Sequence, residues 1–242
     1  MEDPSILDRI RAGKWRLPGD RDRTSIVGVT GSGKTQFAVY LMLASRLYEK
    51  MPWIVFDYKG DELIGKLPAR EIDPRNSPPK DPGMYRLHLN PFDDPDIIKS
   101  FLGKVWSNGD TGLYFDEVYM LPDSRARSEN QVLRALYTTG RSRRIPMMCL
   151  SQRPVDVIRY NFSEASHHVV FRLNDELDRK IVRGRVPYAS FEQAFSGETN
   201  LPKYHSFWYD VQRDLSFEML PGPSEDVLME MFEQVEKVQK WT

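Results

Sequence analysis

The sequence has little of what marks a secreted or membrane-spanning protein. It carries a single cysteine, Cys149, which excludes an internal disulfide and favours a reducing compartment. Its longest apolar stretch, Phe37 to Ala44, is far shorter than the roughly 20 residues that a membrane-spanning helix needs. The first residues lack the basic and then apolar order of a signal peptide. These absences predict a soluble, intracellular protein with no transmembrane segment of its own.

The chain also lacks an excess of charge of either sign. Its 34 lysines and arginines nearly balance 35 aspartates and glutamates, and the formal net charge is −1. A protein that attracts nucleic acid through its overall field needs a basic surplus, so any such binding here has to use local patches. A hydrophobic content of 40% in 242 residues is enough to bury the core of one large domain, or of one domain with appendages.

Residues 28–35 fit the phosphate-binding pattern G-x-x-x-x-G-K-[ST] at every fixed position. The run 25–27 before them and the apolar run 36–44 after them predict a strand, a glycine loop and a helix in that order. Glycines let successive backbone N–H groups point at phosphate oxygens, and the helix N-terminus adds partial positive charge. We therefore predict a nucleoside triphosphate site, with Lys34 at the β- and γ-phosphates and Thr35 as a ligand of Mg²⁺. The nucleotide-binding residues of this prediction are Gly28, Thr30, Gly31, Ser32, Gly33, Lys34 and Thr35.

Two further apolar runs end in polar residues that suit the same chemistry. The run 112–115 ends in Asp116 and Glu117. Consecutive residues at the end of a strand point in different directions, so the two carboxylates can have different roles. We predict that Asp116 joins the Mg²⁺ shell and that Glu117 reaches a water in line with the γ-phosphate. Gln152 follows another apolar run, where its amide can hydrogen-bond the γ-phosphate or the attacking water.

The remaining pattern predicts an α/β fold with a mostly parallel central sheet and helices on both faces. Predicted strands lie at 52–57, 85–89, 145–150 and 167–172, and predicted helices lie at 95–106, 129–139 and 175–183. A hairpin of 204–211 with 215–218 comes next, and a C-terminal helix lies within 222–241, with Ser224 as its N-cap. The proline-rich segment 68–84 is predicted to be a surface loop.

Domain organisation follows from these elements. We expect residues 24–242 to form a single domain and residues 1–23 to form an N-terminal arm. The arm either packs on the domain or on a neighbouring subunit, or it forms a short helix over the sheet edge. We interpret the paired histidines 167–168 as structural residues, because no metal-ligand spacing surrounds them. Cys149 lies within an apolar run and is interpreted as a core residue and not as a nucleophile. The aromatic run 207–209 is interpreted as core and not as a base-stacking surface.

The order of these motifs resembles that of the FtsK–HerA superfamily, whose members are RecA-like P-loop ATPases that form rings and pump DNA. The resemblance covers about residues 24–172 and is most specific at 140–154, where a basic turn, an apolar strand and a Thr-Gln-Arg-Pro-like sequence follow one another. Ser151 replaces the usual threonine there. The turn 57–60 is similar to the D-P-K-G segment of the superfamily, with Tyr58 in place of proline.

Within that superfamily, the chain is most similar to the genome-packaging ATPases of tailless viruses and phages that contain an internal membrane and have double-jelly-roll capsids. Membrane segments and an added N-terminal barrel occur in other branches, and neither fits before Ser25. The resemblance implies ATP and Mg²⁺ as cofactors and a homo-hexameric ring. It also implies non-specific contacts with double-stranded DNA, a portal or membrane-vertex protein as a partner, and action in the host cytoplasm or the virion.

The resemblance also implies roles for individual residues. Gln152 would be the polar sensor, and Arg141 would be the arginine supplied to the nucleotide of a neighbouring subunit, with Arg143 or Arg144 as alternates. A motor that moves any sequence reads phosphates and not bases, so scattered basic residues suit the DNA contact. The candidates are Arg125, Arg127, Arg179, Lys180, Arg183 and Arg185.

Other functions remain open from the sequence. A plasmid-transfer or filamentous-phage-assembly ATPase belongs to the same superfamily. A P-loop phosphotransferase acting on a small molecule would share Lys34 and Thr35, but it would normally have an arginine-bearing lid and no pair like Asp116 and Glu117. A protein that only binds nucleotide would not need Glu117. A GTP switch would need an Asn-Lys-x-Asp motif, which is absent.

Overall fold

The computed structural model describes residues 16–90, 92–122, 131–186, 201, 203–213 and 215–239. Within these residues the strands are β1 (Arg23–Val27), β2 (Pro52–Asp57), β3 (Arg70–Glu71), β4 (Gly83–His88), β5 (Gly112–Phe115), β6 (Met147–Ser151), β7 (His167–Val170), β8 (His205–Asp210) and β9 (Leu215–Pro221). The α-helices are α1 (Lys34–Ala44), α2 (Glu62–Lys66), α3 (Pro95–Asn108), α4 (Gln131–Thr139), α5 (Tyr160–Ser163), α6 (Glu176–Arg185) and α7 (Glu225–Gln239).

The nine described strands form one sheet in the order β3-β4-β2-β5-β6-β1-β7-β8-β9. The pairs from β3 to β7 are parallel, and β8 and β9 extend the β7 edge as antiparallel strands. This confirms the predicted mostly parallel sheet and the terminal hairpin. Val27 at the end of β1 is in register with Ser151 on one side and Val170 on the other. Because the strands are parallel, the segments that follow β1, β2, β5 and β6 all start at one edge of the sheet.

Helices cover both faces of the sheet, as predicted. Along β2, Ile54 and Phe56 belong to one buried cluster, whereas Trp53 and Val55 belong to the other. The first cluster includes apolar side chains of α3, α4 and α6, and the second includes those of α1 and α7. A strand that is covered on both faces of the sheet needs apolar side chains pointing to both sides. This explains the continuous apolar run 52–56, which ends at Asp57. Helix α1 is buried from Phe37 to Leu43, which is typical of a helix at the centre of a core.

The prediction for 68–84 was partly wrong. Within that segment β3 pairs with β4, with Arg70 in register with Tyr85, and β4 already begins at Gly83. A two-residue edge strand pairs only through its backbone and carries no apolar pattern, so the side-chain sequence does not reveal it. Helix α2 was also missed. Asp61, which directly follows the turn 57–60, caps this helix by accepting hydrogen bonds from the N–H groups of Leu63 and Ile64.

Several boundaries differ from the prediction by one to three residues. Helix α6 begins after Asp175, whose side chain caps it, and continues to Arg185. Strand β6 begins at Met147, two residues after its predicted start. The helix predicted over 129–139 is described from Gln131 onwards. Helix α5 was not predicted. These shifts are typical of element ends, where capping and not apolar periodicity decides the boundary.

Only part of the expected N-terminal arm lies within the described residues. Arg16 forms ion pairs with Asp22 and, at 2.9 Å, with Asp210 of β8, so residues 16–22 are anchored to the sheet. Arg23, expected in the arm, is instead the first residue of β1. Residues 1–15 lie outside the described residues. None of the described helices is long and apolar enough to cross a membrane.

Candidate nucleotide site

The glycine loop leaves the sheet between the ends of two strands. The Gly28 N–H donates to the carbonyl of Ser151 at 3.2 Å, and the Val29 N–H donates to the carbonyl of Arg172 at 3.0 Å. A Cβ atom at position 28 would lie 2.5 Å from the Cβ of Phe171, so only glycine fits there. Gly33 adopts a φ of 95°, in the left-handed region, immediately before α1. The loop therefore ends at a helix N-terminus whose first N–H groups have no helical acceptors, which suits an anion.

Lys34 and Thr35 begin α1 and point to different partners. Lys34 is 5% exposed, and its ammonium donates to the carbonyl of Val29 at 3.2 Å. Burial lowers the pKa of Lys34 to about 8, while the carboxylate of Glu117 opposes this shift. The Thr35 hydroxyl donates to Asp116 Oδ1 at 3.1 Å. The two ends of the predicted site, far apart in sequence, are thus in direct contact.

Asp116 and Glu117 lie directly after β5, and each is 1% exposed. Burial raises the pKa of Asp116, and the ammonium of Lys59 partly offsets that effect. The second carboxylate oxygen of Asp116, Oδ2, has no hydrogen-bond partner among the described residues and lies 3.5 Å from the Lys59 ammonium. A buried carboxylate oxygen without a hydrogen bond, beside a threonine hydroxyl, is the oxygen donor set that Mg²⁺ prefers. The residues present therefore fit the expected metal.

Glu117 is held by two hydrogen bonds. The backbone N–H of Gln152 donates to Oε1 at 3.1 Å, and the Lys59 ammonium donates to Oε2 at 2.8 Å. The Gln152 side chain turns the other way, and its Oε1 accepts from the Thr30 hydroxyl at 2.6 Å. Gln152 therefore joins the end of β6 to both the glycine loop and the acid.

Two clefts open beside the glycine loop, and Tyr204 lines both of them. The first, about 360 Å³, is lined by Thr30, Gly31, Gly33, Lys34, Thr35, Gln36, Lys59, Asp61, Leu63, Gln152 and Tyr204. The second, about 300 Å³, shares Thr30, Gly31 and Tyr204 with the first and also includes Arg172, Asn174, Lys203 and His205. Volumes of this size are typical of small-ligand sites. One cleft has the groups for a triphosphate, and the other leaves room for the rest of a nucleotide.

The structure does not bring Arg141 to this site within its own chain. Arg141 lies in the 3₁₀ turn Gly140–Arg143, before β6, whereas the site lies after β6 at the opposite edge of the sheet. The alternates are held elsewhere, because the Arg143 guanidinium lies 3.9 Å from the ring centre of Trp106 and Arg144 pairs with Asp20 and Asp110, each at 3.1 Å. The Arg141 side chain is exposed and has no ion pair within the described parts of the chain.

The candidate DNA contacts divide into two groups. Arg125 and Arg127 lie outside the described residues. The others lie on α6, where Arg179 and Arg183 pair with Glu176 at 3.6 and 3.8 Å. Arg185 lies 5.2 Å from the ring centre of Phe162, which makes it less available to a ligand than the exposed Lys180.

Sequence reasoning assigned no role to two residues that line the site. Lys59 was noted only as part of a turn with a superfamily likeness, although its place two residues after the end of β2 could have pointed to the site edge. Tyr204 was interpreted as a strand residue. It instead lies before β8 with a φ of 67°, and a Cβ at Gly33 would lie 3.1 Å from its ring. No local pattern signals that contact, because it depends on how β8 joins the sheet.

No family model matches the chain. The chain is 37% identical over 222 residues to the DNA packaging ATPase P9 of Enterobacteria phage PRD1, which covers 90% of this chain and 95% of that protein.

Solved structures with similar folds include a viral packaging NTPase and a conjugation coupling protein. The genome packaging NTPase B204 from Sulfolobus turreted icosahedral virus 2, in complex with ATP-γS, matches with a TM-score of 0.67 and 18% identity over 85% of this chain and 100% of that one. The pCW3 conjugation coupling protein TcpA, with ATPγS, matches with a TM-score of 0.61 and 11% identity over 90% of this chain and 65% of that one. At such identities these two matches show the fold alone, and it is the P-loop NTPase fold that the motifs predicted.

Proposed function

We propose that this chain, which belongs to the family of viral DNA-packaging ATPases that includes P9 of phage PRD1, hydrolyses ATP to drive double-stranded DNA into a capsid. The observation that carries this proposal is the contact between the glycine loop and the acid pair. The Thr35 hydroxyl lies on Asp116, and Glu117 is the next residue at the edge of the same site. A site that only binds nucleotide needs no second buried carboxylate beside the first.

Phosphoryl transfer to water needs positioning and charge neutralisation more than covalent chemistry. Lys34 and the N–H groups of the loop would bind the phosphates, and Glu117 would orient the attacking water. Mg²⁺, held by Thr35 and Asp116, would supply positive charge to the β- and γ-phosphate oxygens. Gln152, which contacts both the loop and Glu117, is suited to sense whether the γ-phosphate is present.

No described arginine lines the cleft that contains Lys34 and Thr35, and we propose that a ring of identical subunits supplies one. An arginine from a neighbour is worth about 10³ to 10⁵ in rate in P-loop enzymes. Arg141 suits this role because its side chain is exposed and lies at the sheet edge remote from its own site. A homo-hexamer is the arrangement that the superfamily resemblance favours.

DNA would be bound through its phosphates and without sequence preference. Exposed Lys180 and the partly paired Arg179 and Arg183 on α6 are the described candidates, and Arg125 and Arg127 are the others. Binding of this kind weakens steeply as salt rises. A portal or membrane-vertex protein would anchor the ring during packaging, in the host cytoplasm or on the virion. We further propose that residues 24–242 act as one ATPase domain.

The test is ATP turnover with and without linear double-stranded DNA, for the wild-type chain and for Glu117→Gln. We expect DNA to stimulate the wild type, and Glu117→Gln to bind ATP normally but to lose turnover by about 10² to 10⁴, the typical share of a general base. Glu233→Gln, on the exposed face of α7, is the matched control and should behave as wild type. Turnover that ignores DNA but requires a small-molecule acceptor would favour a phosphotransferase and refute the proposal.

A further inference from the structure

Lys59 is the cation shared by the two acids of the site. Its ammonium lies 2.8 Å from Glu117 Oε2 and 3.5 Å from Asp116 Oδ2. Both carboxylate side chains are 0% exposed, whereas the lysine side chain is 30% exposed and lines the phosphate cleft. Two adjacent buried carboxylates are costly unless a positive charge compensates them. Lys59 supplies that charge and also has a path into the cleft.

The backbone of Lys59 is held in a turn at the end of β2. Asp57 Oδ1 accepts from the N–H groups of Lys59 at 3.2 Å and of Gly60 at 2.8 Å, and Gly60 has a φ of 63°. Since β2 and β5 are neighbours, with Phe56 in register with Phe115, this turn lies directly beside the acid pair. The turn therefore fixes the backbone of Lys59. Its long side chain remains the part that can move from one hydrogen-bond partner to another.

With Lys59 in place, both oxygens of Glu117 are occupied. Oε1 accepts from the Gln152 N–H, and Oε2 accepts from Lys59. Each oxygen could accept a second hydrogen bond, but a buried oxygen that is paired with an ammonium attracts the proton of a water less strongly than a free carboxylate oxygen does. A triphosphate entering the cleft brings a γ-phosphate, which is a competing anion for an ammonium that already lines the same cleft.

We propose that Lys59 is a positioning residue that holds Glu117 when the γ-phosphate is absent and turns to the γ-phosphate when ATP binds, which frees Glu117 Oε2 for the attacking water. This inference rests on the proposed function, because it assigns Glu117 to the water. ADP lacks the γ-phosphate and leaves the ion pair closed. Lys59 thereby makes the site distinguish ATP from ADP, and it prevents the acid from being available in the wrong nucleotide state.

The test compares Lys59→Met with Lys59→Arg and with Lys104→Met, a lysine of α3 outside the site. We expect Lys59→Met to lower kcat about 10- to 100-fold, the usual effect of removing a group that orients a reacting residue. Affinity for ATPγS should fall about tenfold, as expected for loss of a charge-assisted hydrogen bond, while affinity for ADP stays the same. Lys59→Arg should restore most of the discrimination, and Lys104→Met should match wild type.

If Lys59 had a purely structural role, Lys59→Met would lower the affinity for ATPγS and for ADP by the same factor. An unchanged ratio of the two affinities would therefore overturn the proposal. If Lys59→Met does not fold, Lys59→Gln keeps the hydrogen-bond donor without the charge and gives the same comparison. The two proposals fail separately. A wild-type chain without ATP turnover refutes the packaging function, whereas an active wild type with Lys59→Met indistinguishable from it refutes only the role of Lys59.

Discussion

His168 is a buried residue whose protonation affects how the stability of the fold depends on pH. It lies in β7 opposite Ser25 of β1 and stacks on the ring of Tyr209, with ring centres 6.4 Å apart. Burial, together with the neighbouring His167, lowers the pKa of His168 to about 3 from 6.5. Its Nδ1 atom has no hydrogen-bond partner in the described part of the chain, so no local contact compensates a charge there.

This pKa shift predicts that stability falls as the solution is acidified. Below pH 6.5 the unfolded chain protonates the histidine while the folded chain does not, so stability is full above that pH and is lost progressively towards pH 3. The loss attributable to His168 should be about 2 kcal/mol at pH 5. Urea unfolding at pH 7 and pH 5 should therefore show a shallower pH dependence for His168→Gln than for wild type.

The exposed histidine of β4 provides the control for that experiment. His88 has a side chain that is 72% exposed and lies 4.0 Å from Asp57, so His88→Gln controls for the removal of a histidine from the surface. If His168→Gln and wild type lost the same stability between the two pH values, the histidine would not be the titrating group.

At the scale of elements, the turn after Gln152 is tied to helix α6. Asp178 of α6 accepts from the Val155 N–H at 2.9 Å, and its other oxygen lies 3.4 Å from Arg153 Nε. The side chain of Asp178 is 4% exposed. This contact joins the turn that follows Gln152, the residue that we expect to sense the γ-phosphate, to the helix that carries candidate DNA contacts. A buried carboxylate that bonds both a backbone and a guanidinium can couple the two elements.

We therefore predict that Asp178→Ala reduces the stimulation of ATP turnover by DNA more than it reduces turnover without DNA. The change leaves the Val155 N–H without its acceptor, so a destabilisation of about 1–3 kcal/mol should accompany it. Turnover with and without duplex DNA and a thermal melt measure both effects. Glu230→Gln, on the exposed side of α7, is the control for a change of charge, and equal stimulation in both variants would contradict the coupling.

At the scale of the whole molecule, the arrangement of the sheet separates the nucleotide site from the exposed arginine. The site lies after β6 and Arg141 lies before it. One chain therefore has its nucleotide site at one edge of the sheet and, at the other edge, an exposed arginine that forms no ion pair with the described residues. A closed ring, in which each interface is the same, would bring the two together at every seam.

Mixing subunits tests this arrangement. Arg141→Ala and Glu117→Gln should each be inactive alone, with Arg141→Ala reduced about 10³-fold or more. Mixed together, they should recover turnover, because a subunit with an intact Glu117 can receive Arg141 from its neighbour. Arg144→Ala, which breaks the pairs with Asp20 and Asp110, is the control and should lower stability more than turnover. Normal turnover of pure Arg141→Ala would end the hypothesis.

Much of the fold and the nucleotide site could be predicted because their signals are local or periodic. The pattern at 28–35 encodes a loop whose glycines are required by backbone geometry, and the strand predicted at 52–57 is confirmed because a strand covered on both faces has to be apolar throughout. The contact between Thr35 and Asp116 could also be predicted, because parallel strands bring their carboxyl ends to one edge of the sheet. The roles of these residues remain predictions until they are tested.

The sequence by itself determined which chemistry the chain carries, since motif residues and apolar runs are read along the chain. Only the tertiary structure decided which charges meet. Strand order puts β2 beside β5 and so brings Lys59 onto Glu117, and packing places Arg143 on Trp106 while leaving Arg141 exposed. The physical reason is that ion pairs and ring contacts form between residues distant in sequence, and their partners depend on the order of the strands and the side from which each loop returns.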